Sequence, residues 1–404
     1  MVKKVLIFFV CFVFIFQNNL LAVYIDNNTS YVWSDNTIQT SNINEESKDF
    51  LELSCESAIL IEQTTGTIIY EKDSHSSLRP ASVTKIMTIL LIMEAISNGQ
   101  INYDTKITCS ENAASMGGSQ IWLEVGETLT VDEMLKAICI VSANDCSVAM
   151  AEHIAGSESA FVEKMNEKAK QLGMNDTTFK NCHGIDEDGH FTTAYDIALM
   201  SKELLNKYPD VTKYTATWMD SLRDGKAELV NTNKLIRTYD GATGLKTGST
   251  SLALYNLSAS ATRDNLSLIA VIMRAPSPKE RVSNARKLLD YGFSNFEFCL
   301  TSEKGKTIKK VAVEKGIEKE VEIICKNNSG TIIKKGTSSN VESRIKINDK
   351  VEAPIKNGDK LGRIDFYLDD KKIGSSELIA KSSVDKIGTL SNFDYILSKW
   401  FNLQ

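Results

Sequence analysis

Three short segments place hydroxyl, amine and amide side chains where they can activate one another. In Pro80-Ala-Ser-Val-Thr-Lys85, Ser82 and Lys85 stand three residues apart. A helical turn puts both on one face. A serine hydroxyl is a weak nucleophile until a neighbour removes its proton. A lysine does this when apolar burial or another cation lowers its pKa, and Ile86, Met87, Ile89 and Leu90 supply the apolar setting. The chemistry indicated is covalent acyl transfer through Ser82. The spacing alone identifies nothing, because it recurs at Ser343/Lys346 and Ser383/Lys386, neither of them in an apolar stretch. Two further segments single out the first copy. Ser142 and Asn144 lie in Val141-Ser-Ala-Asn-Asp145, inside a mostly apolar region where polar side chains need partners. Lys246 and Thr247 lie in Gly244-Leu-Lys-Thr-Gly-Ser249, where Gly248 lets a substrate backbone run close to a strand edge.

The elements around these segments must bring them together. Ser57–Glu71 reads as two β-rich runs about a Thr-Gly turn, a hairpin. Ile86–Ile96 and Val131–Ile154 are apolar enough to be buried helices. Strand-like runs return at Leu252–Ala259 and Ser267–Met273, and a helix is expected from Pro278 to about Tyr291. Strands at both ends with helices between predict an α/β (α+β) domain with a helical insertion over residues 48–296. From 297 to 381, short alternating runs separated by Gly- and Asn-rich turns predict a small all-β sandwich without a catalytic cluster. From Val384 onward, Val384, Ile387, Leu390, Phe393, Leu397 and Trp400 recur at helical spacing. Residues 382–404 are therefore expected to form an amphipathic helix, either docked on its own domain or lying on a membrane surface.

The chain has 404 residues, room for two domains with flanking segments. A net charge of -6 argues against a nucleic-acid partner. Lys3 and Lys4 precede an apolar run from Val5 to Phe16, and Leu20-Leu-Ala22 follows. This is the order of a secretory signal, expected to end after Ala22, with an uncleaved anchor as the other reading. The run is short for a spanning helix, which needs about 18 residues or more. Either way the rest of the chain is expected to be exported, and residues 23–47 read as a linker. Seven cysteines outside the signal, irregularly spaced, make no disulfide framework. His183, Asp186, Asp188 and His190 raise the possibility of a zinc peptidase, but they lack H-E-x-x-H spacing and sit in a Gly-containing loop. No metal or cofactor is expected.

The three elements, in this order, are those of penicillin-binding proteins and class A β-lactamases. The stretch from Ser57 to Phe293 resembles the serine D-alanyl-D-alanine carboxypeptidases, the low-molecular-mass penicillin-binding proteins of peptidase family S11. Leu78–Thr88, Met116-Gly-Gly-Ser-Gln-Ile-Trp-Leu123 and Asn181-Cys-His-Gly-Ile-Asp-Glu-Asp-Gly-His190 carry the likeness further, and Ala353-Pro-Ile-Lys-Asn-Gly-Asp359 resembles the family's β-rich domain. The resemblance implies a β-lactamase/DD-transpeptidase-like catalytic domain, peptidoglycan stem peptides ending in D-Ala-D-Ala as substrate, acylation by β-lactams, and a terminal helix on the outer face of the cytoplasmic membrane. It implies Ser82 as acyl-ester nucleophile, Lys85 as proton acceptor, Ser142 as proton relay, and Asn144 as a holder of Lys85 and the acyl chain. It also implies Lys246 and Thr247 on the substrate carboxylate, and the backbone N–H groups of Ser82 and Ser249 as oxyanion hole.

Residue 143 is Ala where many relatives carry Gly, and residue 249 is Ser where some carry His; these leave deacylation rate and substrate preference open. Arg281 is either a helper at the carboxylate or a solvated helix residue. The alternatives are a class A-like β-lactamase, argued against by the lack of an E-x-x-L-N segment between the second and third elements, and a non-catalytic penicillin-binding sensor.

Overall fold

The computed structural model describes residues 49–388. The expected signal (1–22), the linker (23–47) and the terminal segment beyond residue 388 lie outside the described residues.

A five-stranded antiparallel sheet forms the centre of the catalytic region, in the order Ile68–Lys72, Ser57–Glu62, Leu266–Ala275, Leu254–Arg263, Ala242–Thr250. Its inner strands are apolar on both faces because both faces are covered. Ile59, Ile61, Ile269, Val271 and Met273 face a helical lobe built from residues 85 to 215. Their alternates Ala58, Leu60, Leu268, Ala270 and Ile272 face Leu288, Leu289 and Phe293 of the helix Pro278–Asn295. Strand side chains alternate with period two, so one strand feeds two separate cores. Ser277 caps that helix by accepting from Glu280 N, with Pro278 in its first turn, which accounts for where it starts. The Thr-Gly hairpin forms as expected, with Ser57–Glu62 paired to Ile68–Lys72.

The region Val131–Ile154 differs from the expected helix. It comprises a helix Val131–Lys136, a π-helical turn Ala137–Val141, and a helix Asn144–Ala155, with Ser142 left-handed at φ 67 between them. The apolar pattern reads through this break because every piece is buried. The break has a consequence for the site. Successive helical residues turn by about 100°, so in a continuous helix Ser142 and Asn144 would point to nearly opposite sides.

The C-terminal region is a six-stranded sheet, ordered Val341–Ile347, Lys360–Leu368, Lys371–Ala380, Glu320–Cys325, Thr307–Glu314, Lys350–Glu352, beside a two-stranded pair, Phe296–Ser302 with Ser329–Lys334. Val311, Ile323, Ile364, Phe366 and Leu378 form its core. Val384, expected at the start of the terminal helix, is instead extended and buried, and bridges Ile355; Lys386 likewise bridges Gly316. Val384 fills an apolar cluster with Val313, Val321, Ala353, Ile355 and Ala380, so this stretch belongs to the β region.

Candidate active site

The segment that carries Ser82 is a tight turn leading into a helix. Ala81–Thr84 is a 3-10 turn, and the helix Lys85–Ser97 follows. Ala81 is left-handed at φ 49. Strain of this kind, costing on the order of 1–3 kcal/mol, persists only where surrounding packing enforces it. The enforcing contacts are visible. Asn256, fully buried in the neighbouring strand, donates from Nδ2 to the carbonyls of Arg79 (2.8 Å) and Pro80 (3.0 Å), and its Oδ1 accepts from Arg274 N at 2.7 Å. Gly248 lies against the same turn: a Cβ there would stand 2.8 Å from Val83 N and 2.9 Å from Ser82 N. A Cβ on Gly184, at φ +91, would stand 2.0 Å from the Ala81 carbonyl oxygen. The two glycines let the Lys246 strand and the 181–190 loop close on the Ser82 turn.

Lys85 is completely buried, and its Nζ has three neighbours: Asn144 Oδ1 at 2.6 Å, the His183 carbonyl at 2.6 Å and Ser82 Oγ at 3.1 Å. Its pKa lies well below the ordinary lysine value, first because burial penalises the charged form and second because Lys246 is close. A neutral amine has two N–H groups and one lone pair. The amide oxygen and the carbonyl can only accept, so they take the two N–H groups and leave the lone pair to the Ser82 hydroxyl. That is the arrangement of a base beside the hydroxyl it deprotonates. The orientation of Asn144 is set by its own Nδ2, which donates to the Gly117 carbonyl at 2.7 Å. Ser142 Oγ is buried with no hydrogen-bond partner. Such a group is uncommon in a folded protein, and among the described residues Ser57 Oγ and Arg281 Nε share the condition.

Ala242–Thr250 is the edge of the central sheet, paired on one side with Leu254–Arg263. Lys246 is buried on it, and its Nζ donates to the Thr247 carbonyl at 3.0 Å. Burial, aided by Arg281, lowers its pKa to about 7. Thr247 Oγ1 is 2.7 Å from Thr232 Oγ1. Ser249 is exposed next along the strand. The structure thus brings Ser82, Lys85 and Asn144 into direct contact and places Lys246 within electrostatic reach of Lys85. Arg281 is not a solvated helix residue. Its Nη1 donates to the Gly248 (3.4 Å) and Asn256 (3.3 Å) carbonyls, so it braces the strand that carries Lys246.

His183 and His190 turn to different partners and do not converge. His183 Nε2 lies 3.4 Å from Glu158 Oε1, and His190 Nε2 lies 2.9 Å from Thr84 Oγ1. Burial is the main cause that lowers the His183 pKa to about 3, so it is neutral under ordinary conditions. The other two S-x-x-K spacings are unlike the first: Lys346 lies on a strand and pairs with Asp365 at 3.5 Å, and Lys386 lies in an extended bridge.

Several supporting groups carried no clear sequence signal. The His183 carbonyl is a backbone group and has no residue preference. Asn256 and Thr232 lie in ordinary β-rich and polar stretches. Asp145 was the most legible of them, a lone carboxylate in an apolar run. It is fully buried and accepts from Ile121 N (3.0 Å) and Leu123 N (3.1 Å), fixing the loop that carries Gly117.

The sequence pattern of the family described as D-alanyl-D-alanine carboxypeptidase matches residues 41–277. The chain belongs to the D-alanyl-D-alanine carboxypeptidase family. Residues 296–386 match the pattern described as penicillin-binding protein 5, C-terminal domain. The D-alanyl-D-alanine carboxypeptidase DacF of Bacillus subtilis is 48% identical over 348 residues, 85% of this chain and 89% of that relative. Penicillin-binding protein 5 from Haemophilus influenzae superposes with a TM-score of 0.72 at 31% identity, covering 83% of this chain and 98% of that one. The ampicillin-bound penicillin-binding protein D2 of Listeria monocytogenes superposes with a TM-score of 0.56 at 30% identity, covering 60% of this chain and 99% of that one. This carboxypeptidase therefore has the mixed α/β catalytic domain of the low-molecular-mass penicillin-binding proteins and their C-terminal β region.

Proposed function

We propose that this chain is a serine-type D-Ala-D-Ala carboxypeptidase that removes the terminal D-alanine from peptidoglycan pentapeptide stems through an acyl-enzyme at Ser82. The observation that carries this reading is the buried Lys85 amine, its pKa lowered by burial, 3.1 Å from Ser82 Oγ and also bonded to the Asn144 amide oxygen and the His183 carbonyl. Lys85 accepts the hydroxyl proton as Ser82 Oγ bonds to the carbonyl carbon between the two D-alanines. The backbone N–H groups of Ser82 and Ser249 receive the charge that develops on the carbonyl oxygen. Ser142 relays that proton from Lys85, giving its own hydroxyl proton to the leaving nitrogen and taking one from the Lys85 ammonium; the C–N bond breaks, and D-alanine departs. Water then attacks the ester, frees the shortened peptide and restores Ser82. Lys246 and Thr247 hold the C-terminal carboxylate, and Asn144 holds the acyl chain as well as Lys85. A β-lactam acylates Ser82 in the same way, but its nitrogen stays tethered after the ring opens.

The charged, apolar and small-residue order of residues 1–22 supports export, and the amphipathic spacing from Leu390 to Trp400 supports a helix lying on the outer face of the cytoplasmic membrane. The decisive experiment is D-alanine release from a pentapeptide stem by the wild type and by Ser82→Ala. Multiple turnovers by the wild type and none by the variant are expected. Equal release by both would overturn the assignment, and a single stoichiometric acylation without release would favour a sensor.

A further inference from the structure

In the carboxypeptidase reading the Thr247 hydroxyl faces the substrate carboxylate, and it has a single proton to give. That hydroxyl already stands 2.7 Å from Thr232 Oγ1. A pair of hydroxyls at this distance shares one proton between them. Thr247 can donate to an incoming carboxylate only when it accepts from Thr232.

The backbone around Thr232 is built to hold it there. Asn231 and Asn233, both buried, flank it. Asn231 Nδ2 donates to the Thr217 carbonyl at 2.8 Å, and Asn233 Nδ2 donates to the Gly244 carbonyl at 2.9 Å on the strand that carries Lys246. Thr232 N donates to the Ile140 carbonyl at 3.1 Å, in the π-helical turn just before Ser142. The tripeptide therefore ties the Lys246 strand to the Ser142 turn and presents an exposed, β-branched side chain whose χ1 is restricted.

We propose that Thr232 is a positioning residue for the substrate carboxylate: it donates to Thr247 and so commits the Thr247 proton to the substrate. This rests on the carboxypeptidase reading of the same site. Polarised chains of hydroxyls strengthen each donated bond, and a bond to a charged acceptor gains most.

The test is a double-mutant cycle of Thr232→Val and Thr247→Val, with Thr232→Ser as the conservative rescue. It is read as kcat/KM for a D-Ala-D-Ala peptide and, in parallel, as the acylation rate by a fluorescent penicillin, which also carries a carboxylate. Thr232→Val is expected to lower both by about tenfold, and Thr232→Ser to restore most of the loss. The double variant is expected to be no slower than Thr247→Val alone, with an unchanged melting temperature for Thr232→Val. Losses that multiply in the double variant, a Thr232→Val enzyme as fast as wild type, or failure of serine to rescue would each overturn the proposal. A wild type that releases no D-alanine yet is acylated by penicillin would overturn the carboxypeptidase reading instead, and the acylation cycle would still decide the role of Thr232.

Discussion

Lys85 and Lys246 are buried amines close enough to influence each other, and the proposed mechanism gives them opposite tasks. In it Lys85 is neutral to take the Ser82 proton, and Lys246 is charged to hold a carboxylate. Their environments separate them in that sense. Burial and the nearby Lys246 charge hold Lys85 well below its ordinary value, whereas Lys246 titrates at about 7. The sign of the pH dependence follows. As pH falls through the Lys85 pKa, the base is protonated and acylation is lost. As pH rises past the Lys246 pKa, carboxylate binding is lost. The expected profile of kcat/KM for D-alanine release is a bell whose alkaline limb begins near neutrality, because kcat/KM reports the free enzyme. A guanidinium stays charged across this range. Lys246→Arg is therefore expected to flatten the alkaline limb; if the limb persists in that variant, another group causes it.

The site is made by elements that approach more closely than side chains would permit. Gly248 sits where a methyl group would meet only backbone atoms: Val83 N, the Pro80 carbonyl and Ser82 N. None of these can swing aside as a flexible side chain would. Gly248→Ala is expected to push the Lys246 strand away from the nucleophile turn, costing about 1–3 kcal/mol of stability. A displacement of this kind in a reacting geometry is expected to slow acylation by about a hundredfold. Thermal melting together with β-lactam acylation rates checks both effects; a variant that melts lower but acylates normally would show that the approach serves stability alone. The broken helix at Ser142 follows the same logic. The π-helical turn and the left-handed residue interrupt the regular helix between Ser142 and Asn144, so the two side chains are not held about 200° apart as in a continuous helix.

On the scale of the whole molecule, the catalytic region and the β region have separate cores. Val384 belongs to the β core, so a truncation meant to remove only the terminal segment must leave it in place. A chain ending at Gly388 is expected to keep full turnover of a soluble pentapeptide and to lose binding to anionic lipid vesicles. Co-sedimentation of the full-length and shortened chains measures this, and retained binding by the shortened chain would place the membrane contact elsewhere.

The sequence by itself pointed to the proposed chemistry. Ser82, Lys85, Ser142, Asn144, Lys246 and Thr247 carry reactive or polar groups in the part of the chain apolar enough to bury them, and the fold brings Ser82, Lys85 and Asn144 into contact. It also indicated the longer strands of both regions, since alternation and turn residues are local properties, but not the short pairs Lys106–Thr108 with Thr128–Thr130 and Met219–Leu222 with Ala227–Val230. Tertiary structure alone decided which remote groups complete the site. The third partner of Lys85 is a backbone carbonyl, and Asn256 and Thr232 act through bonds to segments distant in the chain. The break at Ser142 and the burial of Val384 were hidden for a related reason. An apolar residue has the same appearance in sequence whether it extends a helix or fills a neighbouring core, and only the packed neighbours distinguish the two.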